Sequence, residues 1–120
     1  MLHRKRVIIE SPYAGPTPSD ISRNVAYAKL ALADSIYRGE APYASHLLYT
    51  QVLKDEIPEE RKLGIELGMA WVDAAELVAF YVDFGFSPGM MSCLIKIKRH
   101  SIRVPHEIRK VSPDVISSFR

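Results

Sequence analysis

The sequence predicts a three-layer α/β domain built on a small parallel sheet, Rossmann- or flavodoxin-like. Three observations carry that prediction. Short β-branched or apolar runs alternate with longer stretches bounded by helix-starting and helix-stopping residues. The run at 77–82, LVAFYV, holds no charged residue, as expected of a central strand covered on both faces. The resulting order, β-α-β-α-β-α-β, favours right-handed crossovers between parallel strands.

Taken in order, Val7, Ile8 and Ile9 form the first strand, stopped by Glu10-Ser11-Pro12. The stretch YAGPTPSD is a Gly/Pro loop. Ser19 or Asp20 then caps a helix with Ile21, Val25, Leu32 and Ile36 along one face and Gly39 as its stop. Residues 41–48, APYASHLL, alternate in part and read as a second strand. Pro58-Glu59-Glu60 opens the next helix, which runs to about Ala75. Proline suits a first turn, and carboxylates suit the positive end of the helix dipole. After the central strand, Ser87-Pro88 starts a third helix reaching about Lys98. The last strand is either 102–104 or 107–111, and residues 112–120 stay unassigned. With no repeat, linker or low-complexity segment, the 120 residues make one domain.

Composition narrows the partners. Hydrophobic residues at 48% and charged residues at 25% are ordinary for a globular chain. No apolar run reaches the roughly 18 residues of a membrane span, so no membrane partner is expected. The run at 7–9 is too short for a signal peptide's core, and the single Cys93 fits a reducing cytoplasm. A net charge of +2 does not argue for nucleic acid. The one basic cluster, KIKRHSIR at 96–103, has too few aromatics to stack bases. No second histidine stands at a metal-ligand interval, and no G-x-G-x-x-G is present, so neither a metal nor a dinucleotide cofactor is expected.

Open parallel sheets bind ligands outside the carboxyl ends of their strands, where the strand order reverses. That directs attention to residues 11–15, 45–51 and 83–89. Ser11, Tyr13 and Gly15 occupy the first loop. Arg23 and Asn24 lie in the first turns of the following helix, where orphan amides attract anions. His46 falls at the end of the second strand, with Tyr49 and Gln51 just beyond it. Asp83, Ser87, Gly89 and Met90 follow the central strand. Each has an ordinary alternative, as a turn, a packing residue or a helix cap.

Three stretches in this order and spacing carry a resemblance: ESPYAGP with Arg23-Asn24 behind it, GEAPYASHLLYTQ with PEERKLGIELGMAW, and DFGFSPGM. Across residues 7–105 the chain resembles the nucleoside 2-deoxyribosyltransferase-like superfamily, including its small bacterial and phage members. The resemblance implies a ligand of nucleotide or nucleoside type, a site near Tyr13, assembly as a homo-oligomer, and a glutamate that attacks the anomeric carbon. For the oligomer, Trp71, Phe84 and Phe86 are the candidate interface aromatics.

The glutamate decides the activity. In the superfamily a G-x-E-L-G-x-A-like stretch follows the third strand. Here GIELGMA precedes that strand, and the corresponding position falls near Cys93. Glu66 also sits on the edge of an apolar stripe formed by Leu63, Leu67, Ala70, Trp71 and Ala74. The expectation is therefore a binder that senses or sequesters its ligand, as a phage sponge for a nucleotide immune signal would. The alternative is an N-glycosidase or deoxyribosyltransferase using Asp83 or Glu66.

Overall fold

The computed structural model describes residues 3–99 and 104–118. Four strands, β1 (Arg6–Glu10), β2 (Ala41–Tyr43), β3 (Leu77–Tyr81) and β4 (His106–Arg109), form one all-parallel sheet in the order β2-β1-β3-β4. The chain steps from β1 to one side and then returns to the other, so the reversal lies between β1 and β3. Their register, Val7↔Leu77 through Glu10↔Phe80, ends the two strands nearly level. The expected fold class is the observed one.

Side-chain parity divides the sheet between two helical layers. Val7, Ile9, Leu77, Ala79 and Tyr81 pack toward α1 (Pro18–Tyr37) and α5 (Pro113–Ser118), meeting Tyr27, Ala31 and Val115. Ile8, Val78 and Phe80 pack the other way, against Met90, Cys93 and Ile97 of α4 (Pro88–Arg99) and against Val72. Val72 belongs to the single 3₁₀ turn that follows α3 (Pro58–Ala70). All five residues of β3 are buried, as its unbroken apolar run requires. No described helix is long and apolar enough to cross a membrane.

Four local expectations are corrected. β2 stops at Tyr43, and Ser45–Leu48 is instead a single helical turn, α2, followed by a 3₁₀ turn at Tyr49–Gln51. Leu47 turns inward onto the Val7–Ile9 side of the core, which a continued edge strand would not allow. The N-cap of α1 is Thr17. Its hydroxyl accepts from the Asp20 amide at 3.2 Å, and the Asp20 carboxylate accepts from the Thr17 amide at 3.2 Å, a reciprocal capping box. The buried face of α1 is Asn24, Tyr27, Ala28, Ala31 and Asp34, while Ile36 is 55% exposed. Two alanines let this helix lie close to the sheet, and Asp34 and the amide nitrogen of Asn24 are hydrogen-bonded. Finally, α3 buries only Gly68, and the predicted stripe of Leu63, Leu67 and Trp71 is exposed. Of the two candidates for the last strand, β4 overlaps 107–111, and 102–103 lie outside the described residues.

Gly39 ends α1 in the left-handed region, φ +85°, as its position predicts. Beside it lies a dense polar network. Asp34 accepts from the Tyr81 hydroxyl at 2.6 Å, the Ser112 amide at 2.9 Å and Arg38 Nε at 2.9 Å. Arg109 forks onto both oxygens of Glu40 at 2.8 Å, and Ser35 donates to the same carboxylate at 2.8 Å. These bonds tie α1 to β3, β4 and the start of α5.

Candidate functional site

Period-two alternation along β1 sends Val7 and Ile9 to one face, and Ile8 and Glu10 to the other. Glu10 is the last residue of the strand. It therefore projects into the gap beyond the sheet edge, between α2, α3 and α4. That gap is a cavity of about 490 Å³ at the strand-order reversal. Its floor is Ile8 and Glu10. The first loop contributes Ser11, Tyr13 and Gly15; α2 and the turn after it contribute Ser45, His46, Tyr49 and Thr50. Arg61, Gly64 and Gly68 form the α3 wall, and Ser87, Gly89, Met90, Cys93 and Lys96 form the α4 wall.

Glycines shape two of these walls. A Cβ on Gly68 would sit 2.6 Å from Ser45 Oγ, so α3 can approach α2 only without a side chain there. A Cβ on Gly64 would meet Leu53 Cδ1 at an ordinary 3.6 Å. Gly68→Ala is expected to lower stability by ~1–3 kcal/mol, the usual cost of overpacking. Gly64→Ala is expected to be neutral or stabilising, because alanine is about 1 kcal/mol the better helix former. Urea unfolding of the two variants checks this, and equal effects would refute it. In the first loop, a Cβ on Gly15 would collide with the side chain of Asp20, so the capping box itself demands glycine there.

The polar groups of the cavity differ in charge state. Ser11 Oγ and His46 Nε2 lie 2.7 Å apart. Burial lowers the His46 imidazole to about 4, so it stays neutral near pH 7 and is a weak base for activating a serine. Glu10 goes the opposite way: burial pushes its carboxyl up to about 7, slightly relieved by a hydrogen bond with the Cys93 thiol. That thiol is itself pushed well above its usual range, by burial first and then by the neighbouring Glu10 charge, which makes it a poor nucleophile. The Tyr49 hydroxyl receives Trp71 Nε1 at 3.0 Å and the Tyr43 hydroxyl at 3.1 Å, which fixes its ring at the cavity wall. At the rim, Arg61 pairs with Asp55 at 3.5 Å.

Of the residues singled out from sequence, Ser11, Tyr13, Gly15, His46, Ser87, Gly89 and Met90 line this cavity together. Four others do not. Asp83 accepts from the Tyr27 hydroxyl at 2.8 Å and from the Val111 amide at 3.0 Å, so it pins α1 and the β4–α5 connection to the end of β3. Asn24 donates to the carbonyls of Tyr13 at 2.9 Å and Ala14 at 3.3 Å, holding the loop from behind. Its amide oxygen is buried without a hydrogen-bond partner among the described residues. Arg23 lies over the Phe84 ring, 4.7 Å from its centroid. Glu66 is exposed and does not line the cavity; it lies in a neighbouring groove with Pro58 and Lys62 that shares Arg61, Ile65 and Lys96 with the cavity.

The start of α4 offers few free amides. The Ser87 hydroxyl caps Met90 N at 3.2 Å, and Pro88 has no N–H. The candidate interface aromatics have partners within the chain: Phe84 packs on Tyr27, Phe86 on Phe80, and Trp71 on Tyr43. The sequence reading passed over Glu10, Thr50, Arg61, Gly64 and Gly68 as site residues, while Lys96 belongs to the basic run at 96–103 that it singled out. For Glu10 the signal was present, since it stands two residues after Ile8 at the last strand position. The others owe their place to helix packing, which no local pattern encodes.

Among the described residues, no three His, Cys, Asp or Glu side chains converge as a metal site would need. A family model described as a domain of unknown function, DUF7768, matches residues 5–107, and the chain belongs to that family. The matched span contains every cavity residue named above. No curated protein and no solved structure matches significantly.

Proposed function

We propose that this member of the DUF7768 family binds a small anionic ligand of nucleotide type in the cavity at the strand-order reversal, and holds it rather than turning it over. The observation that carries the reading is the cavity itself: about 490 Å³, placed where open parallel sheets bind ligands, with tyrosines and cations on the same walls. Tyr13 and Tyr49 offer ring faces to a planar group. Arg61 and Lys96 offer charge to a phosphate, and the Gly89 amide adds a donor beside it. The resemblance to deoxyribosyltransferases supplies the ligand class, as analogy. Sensing or sequestration follows from binding without turnover.

The test is a thermal-shift panel of nucleoside monophosphates, cyclic nucleotides and ADP-ribose derivatives. A true ligand at 100 times its Kd stabilises by about 2.7 kcal/mol, which raises Tm by several degrees in a domain of this size. Arg61→Ala and Lys96→Ala are expected to shrink that shift. A panel with no shift at all refutes the proposal.

One observation favours a second reading, cleavage of an N-glycosidic bond: a carboxyl group, Glu10, stands on the cavity floor. Asp83 and Glu66 do not line the cavity, and of the carboxyl groups that do, Asp55 pairs with Arg61 and Glu60 accepts from the Lys54 amide, which leaves Glu10 as the candidate for turnover. Release of free base from deoxynucleosides or their monophosphates, abolished in Glu10→Gln, would establish this reading over the first.

A further inference from the structure

Among the described residues, Glu10 is the only carboxyl group on the floor of the cavity, Asp55 and Glu60 lining it elsewhere. Strand parity puts it, half-buried, on the Ile8 face of the sheet, in a cavity whose lining also includes Val72 and Met90. Its neighbour in register is the fully buried Phe80. The titratable and charged side chains that share the cavity with it can be named element by element. From α4 come Cys93 and Lys96; from α2 and the turn after it come the neutral His46 and Tyr49. From α3 and the turn before it come Arg61, Asp55 and Glu60, and Arg61 is engaged with Asp55. Tyr13 completes the ring from the first loop. The group that bears directly on Glu10 is the Cys93 thiol, a neutral donor.

We infer that Glu10 meets the ligand as a neutral acid, its hydroxyl donating to an acceptor atom on the part of the ligand seated against the sheet. The inference rests on the binding reading above and adds its specificity. A carboxylate on this floor would repel an anionic ligand and be a desolvated charge with no cation paired to it. A carboxylic acid instead offers one strong donor. The cavity would therefore select ligands whose deep end is an uncharged ring or sugar carrying an acceptor, with the phosphate outward toward Arg61 and Lys96. Above neutrality a falling fraction of the protein is competent, and the apparent affinity falls in proportion. Burial raises the carboxyl to about 7, which sets where this decline begins.

Two measurements test this. Carboxyl-¹³C NMR of the ligand-free protein, with the Glu10 resonance assigned by its loss in Glu10→Gln, should show titration near pH 7; a midpoint near the ordinary glutamate value overturns the inference whatever binds. Calorimetric titration with cyclic AMP and ADP-ribose, whose phosphates keep a fixed charge between pH 6 and 8, should give about tenfold weaker binding at pH 8 in the wild type. Glu10→Gln, which still donates through its amide, should bind equally at both values. Equal wild-type affinity at pH 6 and 8 overturns the inference and leaves the binding reading intact. Failure of the whole panel to bind at either pH removes both.

Discussion

Glu10→Gln is expected to make the protein more resistant to urea at pH 8, by up to about 3 kcal/mol, while leaving it unchanged at pH 4. The size comes from 1.36 kcal/mol for each unit separating about 7 in the folded chain from the ordinary 4.5. The sign follows from proton linkage. A carboxyl group raised on folding contributes stability that is complete below pH 4.5 and is lost as pH rises through 7. At pH 8 the wild type must hold a desolvated carboxylate that pairs with no cation among the described residues, whereas glutamine carries no charge at any pH. His46 has the opposite slope: lowered from 6.5 to about 4, its neutral form contributes stability above pH 6.5 that is lost as pH falls toward 4. Between about 4.5 and 6.5 the two slopes cancel in the wild type. Removing Glu10 leaves the His46 slope exposed, so the variant should gain stability steadily across that window. Urea midpoints for both proteins from pH 4 to 8 decide it. Parallel curves would mean that Glu10 is solvated and charged.

Asp34→Ala should produce the largest loss, about 3–5 kcal/mol, the usual result of removing one partner from a buried charged network. For a small domain that is most of the margin between folded and unfolded. Burial alone would push the Asp34 carboxyl up. The Tyr81 hydroxyl, the Ser112 amide and Arg38 outweigh it and hold the group below the ordinary carboxylate range. Its contribution is therefore present above pH 3.8 and is lost as pH falls further. Deleting it strands the Tyr81 hydroxyl and the Ser112 amide, so β3, α1 and the start of α5 lose a shared acceptor. Thermal melting followed by circular dichroism measures the effect. A variant melting within two or three degrees of wild type, on the order of half a kcal/mol here, would show that the network does not tie these elements.

The sheet was readable in the sequence because its signals are local. An unbroken apolar run at 77–81 and a β-branched run ending in Ser-Pro need no partner to be recognised. The cavity's position followed from the parallel order alone. The facing of α1 was not readable, because Ala28, Ala31 and Asp34 bury through closeness to the sheet and a polar network, while Ile36 is left outside. GIELGMA misled in an instructive way. Its two glycines do belong to the cavity wall, one of them forced by Ser45, whereas the glutamate between them points elsewhere. Asp83 took the right strand end but the wrong face, since alternation beyond Tyr81 carries it toward Tyr27.

The opposed titrations of Glu10 and His46 have a consequence for anything that counts charge. Near pH 5.5 the unfolded chain carries a minus at position 10 and a plus at position 46, and the folded chain carries neither. Folding thus annihilates an ion pair's worth of charge separation while leaving the total untouched. Electrophoretic mobility and isoelectric point would register no ionisation at all, although two have changed.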